Sequence, residues 1–177
     1  MRQEERRART RAALLRAAAS AFASRGYDGA SVDAIAASVG LSKGAVYAHF
    51  PSKLELYLGV LTGLLEQAEW RLERVATAIR GGSSPLDASR QYLGLGGDAQ
   101  HAALMSELWR TAAIEPQIRT IVERFVDERL SVLSRACIER GMTPAASLDF
   151  AETVARFIDA GMLYRRVDDA SAELAGS

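Results

Sequence analysis

The stretch from Ser31 to Lys53 constrains this chain more tightly than any other. Ser31 is a good helix N-cap, and Val32, Ile35, Ala36 and Val39 follow at the i, i+3, i+4, i+7 spacing of one helical face. Gly40 then permits the positive φ of a tight turn, and Leu41 can plug the core between two helices. Ser42 caps a second short helix, predicted over 43–49, which Pro51 interrupts. Ser52 and Glu55 have the spacing of a capping box, so a long helix starts at Lys53 and runs to about Ile79.

The rest of the chain is also helical in pattern, and no segment alternates convincingly like a strand. A first helix over 5–25 carries Leu14, Leu15, Ala18 and Phe22 as an apolar stripe, and Gly26 is its natural stop. Gly81-Gly82-Ser83-Ser84 is the clearest linker, and Pro85 restarts a helix that ends near Gly94. Further helices are predicted over 99–113, 116–140 and 144–164, with a tail from Val167 that frays. Eight or so helices with short connections make an all-α protein. The predicted organisation is an N-terminal three-helix domain with a helix-turn-helix over residues 1–52, followed by a helical bundle over 53–177. The 49 % hydrophobic content is enough for a buried core.

Two short helices joined by a tight turn form a helix-turn-helix, a layout whose second helix enters the DNA major groove. Ile35, Val39, Leu41, Val46 and Phe50 are expected to bury against Leu14, Ala18, Phe22 and Tyr27. That leaves Lys43, Gly44, Ala45, Tyr47, Ala48 and His49 facing outward. Gly44 and Ala45 are small where a backbone must approach base edges. Lys43 can reach a guanine edge or a phosphate. Tyr47 and His49 can donate to phosphate oxygens, and Lys53 stands beside them, with the helix N-terminus adding its own attraction for phosphate. The predicted DNA contacts are therefore Ser31, Ser42, Lys43, Gly44, Ala45, Tyr47, His49 and Lys53. Charge distribution agrees. The chain holds 22 basic and 22 acidic residues, but nine basic and only four acidic ones fall in residues 1–53. That segment is net basic by five charges and the remainder net acidic by five, which suits contact with a polyanion at one end. The arginines from Arg2 to Arg11 are expected near phosphates as a group.

At Phe22, Gly26-Tyr27, Ser31 to Ala36 and Val39 to Lys53 the chain resembles the TetR family of regulators. The resemblance covers about residues 6–60. Beyond it, Glu107-Leu108-Trp109 before Pro116 and Asp159-Ala160-Gly161 resemble the family's variable ligand-binding domain only loosely. The resemblance implies that 53–177 is a helical-bundle ligand-binding and dimerisation domain, and that the protein is a homodimer on a near-palindromic double-stranded DNA operator, usually a repressor, released by a small-molecule effector. Ala48 departs from the pattern, because relatives often carry a larger residue there. Members often have a further C-terminal helix.

Large side chains with polar tips at Trp70, Tyr92, His101, Met105, Trp109 and Phe125 are expected to line the effector pocket. The last helix has two apolar stripes. Ala151, Val154, Ala155, Ile158 and Met162 suit the core, while Phe150, Phe157, Gly161 and Tyr164 suit a partner subunit. Several chemistries are set aside. The G-x-G-x-x-A string from Gly94 to Ala99 lacks the strand a dinucleotide site needs and reads as a loop. His49, His101 and the single Cys137 have no metal-ligand companions, and no serine sits in a nucleophile elbow. No cofactor, metal or catalytic residue is expected. A small helical enzyme, or a ligand-binding protein without DNA-binding activity, is the alternative reading. One cysteine excludes an intramolecular disulfide framework, the Met1 to Ala23 start reads as a helix of the mature protein, and no apolar run reaches a membrane-spanning length of roughly 20 residues. A cytoplasmic location is expected, with no membrane partner.

Overall fold

The computed structural model describes the backbone of residues 3–94 and 99–175, and side chains as far as residue 160. Within those bounds the chain is eight α-helices: α1 (Gln3–Gly29), α2 (Val32–Ser38), α3 (Lys43–Tyr47), α4 (Lys53–Arg80), α5 (Pro85–Gly94), α6 (Ala99–Ala112), α7 (Pro116–Glu139) and α8 (Pro144–Ala175). No strand occurs among the described residues.

Local chemistry sets most of these boundaries. α1 is broken at Gly26, whose φ of 71° and ψ of 173° lie outside the helical region, and a last short turn to Gly29 follows the kink. The break stands where the glycine predicted the helix would stop. α2 ends in a Schellman motif. Gly40, at φ 69°, sends its N–H to Ala37 O at 3.1 Å, and Leu41 N–H returns to Ala36 O at 2.9 Å. α8 continues to Ala175, past the expected end near Tyr164 and through the tail that was expected to fray.

Packing follows two apolar clusters strung along α4. In the first, Leu14, Ala18 and Phe22 of α1 meet Ile35, Val46 and Phe50, as the sequence pattern requires. Phe22 is fully buried, edge-on to the Tyr57 ring at 4.9 Å between centroids. This cluster does not stop at residue 52. It takes in Leu56 to Ala68 of α4, Leu104, Met105 and Leu108 of α6, and Ile118, Val122 and Phe125 of α7. The second cluster joins Leu72, Val75 and Ile79 of α4 to α5, the end of α7 and the Ala151, Val154 and Ile158 stripe of α8. α4 and α7 run through both clusters and so act as spines. Both α6 and α4 lie directly against α1.

Candidate nucleic-acid interface

Three serines fix the helix starts around the exposed face. Ser31 Oγ accepts from Ala34 N–H at 3.5 Å, Ser42 Oγ from Ala45 N–H at 3.2 Å, and Ser52 Oγ from Glu55 N–H at 3.0 Å. α3 is two residues shorter than predicted. Val46 O accepts from both His49 N–H and Phe50 N–H at 2.9 Å, which winds the chain tightly and returns Phe50 to the core. Ala48 and His49 therefore lie in the turn after α3 and not within it.

α3 buries Val46 and presents Lys43, Gly44 and Tyr47 to solvent, with Ala48 just beyond them. Ser31 and Ser42 are exposed as well, while Ala45, His49 and Lys53 are half-buried. Both lysines are anchored. Lys43 Nζ lies 2.7 Å from Asp33 Oδ2 on α2, and that hydrogen bond, with the aspartate's charge, raises the ammonium's pKa. Lys53 Nζ donates to Asp28 O at 3.2 Å and sits over the Tyr27 ring, 4.9 Å from its centroid. Arg11 is placed in the same manner over Phe50, also at 4.9 Å. Ion–ring contacts of this kind hold a cation without neutralising it. The charges at Lys53 and Arg11 thus remain available to a polyanion.

The corner that carries Tyr27 and Asp28 is held from outside the helix-turn-helix. Glu107 of α6 is buried, and its Oε1 accepts the Tyr27 backbone N–H exposed by the kink at Gly26. Arg110 grips both Glu107 oxygens, at 2.9 and 2.6 Å, and reaches Asp28 Oδ2 at 3.1 Å. Burial opposes the Glu107 charge, but the hydrogen bonds from Arg110, Tyr27 N–H and Thr111 outweigh it and hold the pKa below the ordinary glutamate value. A Cβ at position 26 would stand 3.2 Å from Glu107 Oε1, so glycine supplies clearance as well as the positive φ. The sequence pattern did not single out this clasp. Its one local signal is the Glu107-x-x-Arg110 spacing, and the contact with Gly26 and Tyr27 spans some 80 positions.

The expected effector-pocket residues separate into two groups. Tyr92, His101, Met105 and Phe125 are buried. Trp70 and Trp109 are 57 % and 41 % exposed and line no interior. The reason is helical phase. The buried positions flanking Trp70 on α4 are Ala68, Arg71 and Leu72, and Trp109 on α6 lies just outside the Leu104, Leu108 and Thr111 stripe. Of the expected partner-facing residues, Phe157 is 44 % exposed, whereas Phe150 packs partly against the second cluster. The side chains of Met162 and Tyr164, the surroundings of Gly161 and the whole of residues 95–98 lie outside the described residues. Among the described residues no group of three or more His, Cys, Asp or Glu side chains could hold a metal ion, and no helix is long and apolar enough to cross a membrane.

Residues 14–60 match the family described as bacterial regulatory proteins, tetR family. Over 51 residues the chain is 55 % identical to the HTH-type transcriptional activator FasR of Mycolicibacterium smegmatis, a stretch that is 29 % of this chain and 23 % of that one. The chain spans about a quarter of the length of the curated relatives it matches. Among solved structures, a transcriptional regulator from Rhodococcus sp. Rha1 superposes with a TM-score of 0.72 at 28 % identity, covering 90 % of this chain and 85 % of that one. A regulator from Saccharomonospora viridis, solved in complex with choline, shares the fold with a TM-score of 0.67 at 19 % identity, covering 86 % and 83 %.

Because the folded Glu107 pKa is depressed, its ionisation stabilises the fold fully above the unfolded glutamate pKa of about 4.3, and that contribution is lost as pH falls through the lower folded value. Glu107→Gln is expected to lower the unfolding free energy at pH 7 by about 1–3 kcal/mol. It should also flatten the fall in stability below about pH 4.3. Urea unfolding of both proteins across that range measures the difference, and parallel pH profiles would refute it.

Proposed function

We propose that the chain is a regulator of the TetR family, whose helix-turn-helix segment it matches over residues 14–60, and that it binds operator DNA as a homodimer and releases it when a small molecule binds. The observation that carries this reading is the exposed face of α3, with Lys43, Gly44 and Tyr47 outward on a helix whose Val46 is buried. In the proposed division, residues 1–52 bind DNA, and residues 53–177 bind the effector and the partner subunit. Ser31, Ser42, Tyr47, His49 and Lys53 contact phosphates, while Gly44 and Ala45 let the backbone approach. Lys43 reads a base edge, and to do so it must leave Asp33 or share it. The protein acts by binding and not by catalysis. We propose repression as the sign. The likeness to an activator falls on a stretch of 51 residues, and a DNA-reading segment serves either sign.

Two routes connect the effector region to α3. α4 begins at Lys53 and runs rigidly through both apolar clusters. α6 carries the buried His101 and Met105 near one end and the Glu107 clasp near the other. A ligand that shifts α6 would therefore move Tyr27 and Asp28, and with them the anchor of Lys53. Only a difference in ligand affinity between the two arrangements can drive this, and a coupling of about 1–3 kcal/mol changes operator affinity by about 5- to 150-fold. The choline-bound neighbour supports the general idea that this fold accommodates a small molecule.

A selected operator and its variants provide the test. Tyr47→Phe and Lys53→Ala should weaken binding to most sequences alike, and Lys53→Ala should lower the salt slope by about one ion. Substituting Lys43 should change sequence preference. Unchanged affinity and preference in all three would remove α3 from the groove. Phe157, 44 % exposed on α8, should face the partner subunit. Phe157→Glu is expected to give folded monomers with much weaker operator binding, whereas a wild-type protein that sediments as a monomer at micromolar concentration would refute the dimer.

A further inference from the structure

The two lysines of the DNA-reading segment are held in different ways. From 29 to 54 the sequence has Lys43 and Lys53 as its only lysines or arginines and Asp33 as its only carboxylate. Lys53 is held by a backbone carbonyl and an aromatic ring, which leave its charge whole. Lys43 is held by the carboxylate, with Nζ 2.7 Å from Asp33 Oδ2. Asp33 stands in the first turn of α2 and Lys43 opens α3, so the pair bridges the two helix starts across the Gly40 turn. Both side chains are exposed on the face assigned to DNA.

An ion pair this exposed adds little to stability, because water and salt screen it. Its consequence falls on what else the ammonium can hold. A lysine ammonium has three N–H donors and no acceptor, and Asp33 takes one of the three. The pair as a whole is net neutral. It therefore has little attraction for a phosphate, whose contact is electrostatic and independent of sequence. Two donors remain for a partner that offers two neutral acceptors side by side. In the major groove guanine does so, with N7 and O6. Adenine sets an amino donor beside its N7, cytosine presents an amino donor, and thymine sets a methyl group beside its one carbonyl.

We propose that Lys43 and Asp33 read one guanine in each half-site as a unit. Asp33 stays on the ammonium in the complex, as the positioning residue that holds it off phosphates and leaves its two other donors to guanine N7 and O6. The assignment names a base for the operator-binding reading above and rests on it. It also divides the work between the lysines. Lys53, not neutralised, supplies attraction to any duplex, and Lys43 supplies discrimination. A carboxylate on a DNA-facing surface repels phosphate when alone; paired with Lys43 it turns a general cation into a base reader.

The test uses the full chain, without effector, on an operator that the wild type selects from random duplexes. Each G·C pair is replaced by A·T in turn. One pair per half-site should weaken wild-type binding about tenfold when replaced, within the roughly 5- to 150-fold range of a good base contact. The same replacement should change binding of Lys43→Met by less than about twofold. Asp33→Asn keeps the shape of the side chain and removes its charge. It should bind a duplex of unrelated sequence several-fold tighter, with a salt slope steeper by about one ion. The penalty at the identified pair should fall to about threefold or less. Glu55→Gln removes a different exposed carboxylate, in the first turn of α4, and should leave that penalty at about tenfold. Circular dichroism checks that each variant keeps the helical fold. An operator with no such pair, a penalty that persists in Lys43→Met, or one in Asp33→Asn equal to that of the wild type would each overturn the proposal. A wild type that selects no duplex overturns operator recognition itself and this assignment with it, and that result is read before any variant is compared.

Discussion

Glu107 is a carboxylate placed where burial disfavours its charge, yet it stays ionised because a broken helix gives it something to hold. The kink at Gly26 frees the Tyr27 N–H, and that donor, with the Arg110 guanidinium, outweighs the loss of water. The contact ties the end of α1 to α6. From it follow the position of Asp28, whose carbonyl anchors Lys53, and the position of the Tyr27 ring beneath the same ammonium. The exposed face of α3 is built locally by serine caps and a glycine turn. Its orientation relative to the rest of the molecule depends on this long-range clasp and on the apolar cluster behind it.

That division between local and long-range physics also marks what the sequence could show. Ser31, Ser42, Ser52, Gly40 and the prolines at 85, 116 and 144 act on their own neighbours, so each helix start was legible within a few residues. The burial of Leu14, Phe22, Ile35 and Val46 was legible because a 3.6-residue stripe must face a core. Trp70 and Trp109 lie outside the expected interior because helical phase, not side-chain size, decides burial. Both lie off the apolar stripes of their own helices, and stripe position decides burial on an amphipathic helix. α3 ends before the predicted residue because Val46 O takes two donors, a detail of tight winding that side-chain pattern does not encode.

Contacts between distant charged residues were the least legible. Glu107 with Tyr27, Arg71 with His101 and Arg129 with Asp159 pair groups 30 to 80 positions apart. In the sequence each looks like an ordinary polar position on a helix. Only the packing of α4, α6, α7 and α8 shows that these charges are interior, and burial is what makes them consequential. Among the described residues the buried Arg129 guanidinium pairs with Asp159 and the buried Arg71 guanidinium meets His101, placements that surface-like spacing conceals.

In the proposed reading, two copies of this chain read duplex DNA through α3. Hydroxyl-radical footprinting on an operator selected from random duplexes measures this. Two protected patches centred about one helical turn apart, roughly 10 base pairs, and related by two-fold symmetry are predicted. A single unpaired patch, or uniform weak protection independent of sequence, would contradict it.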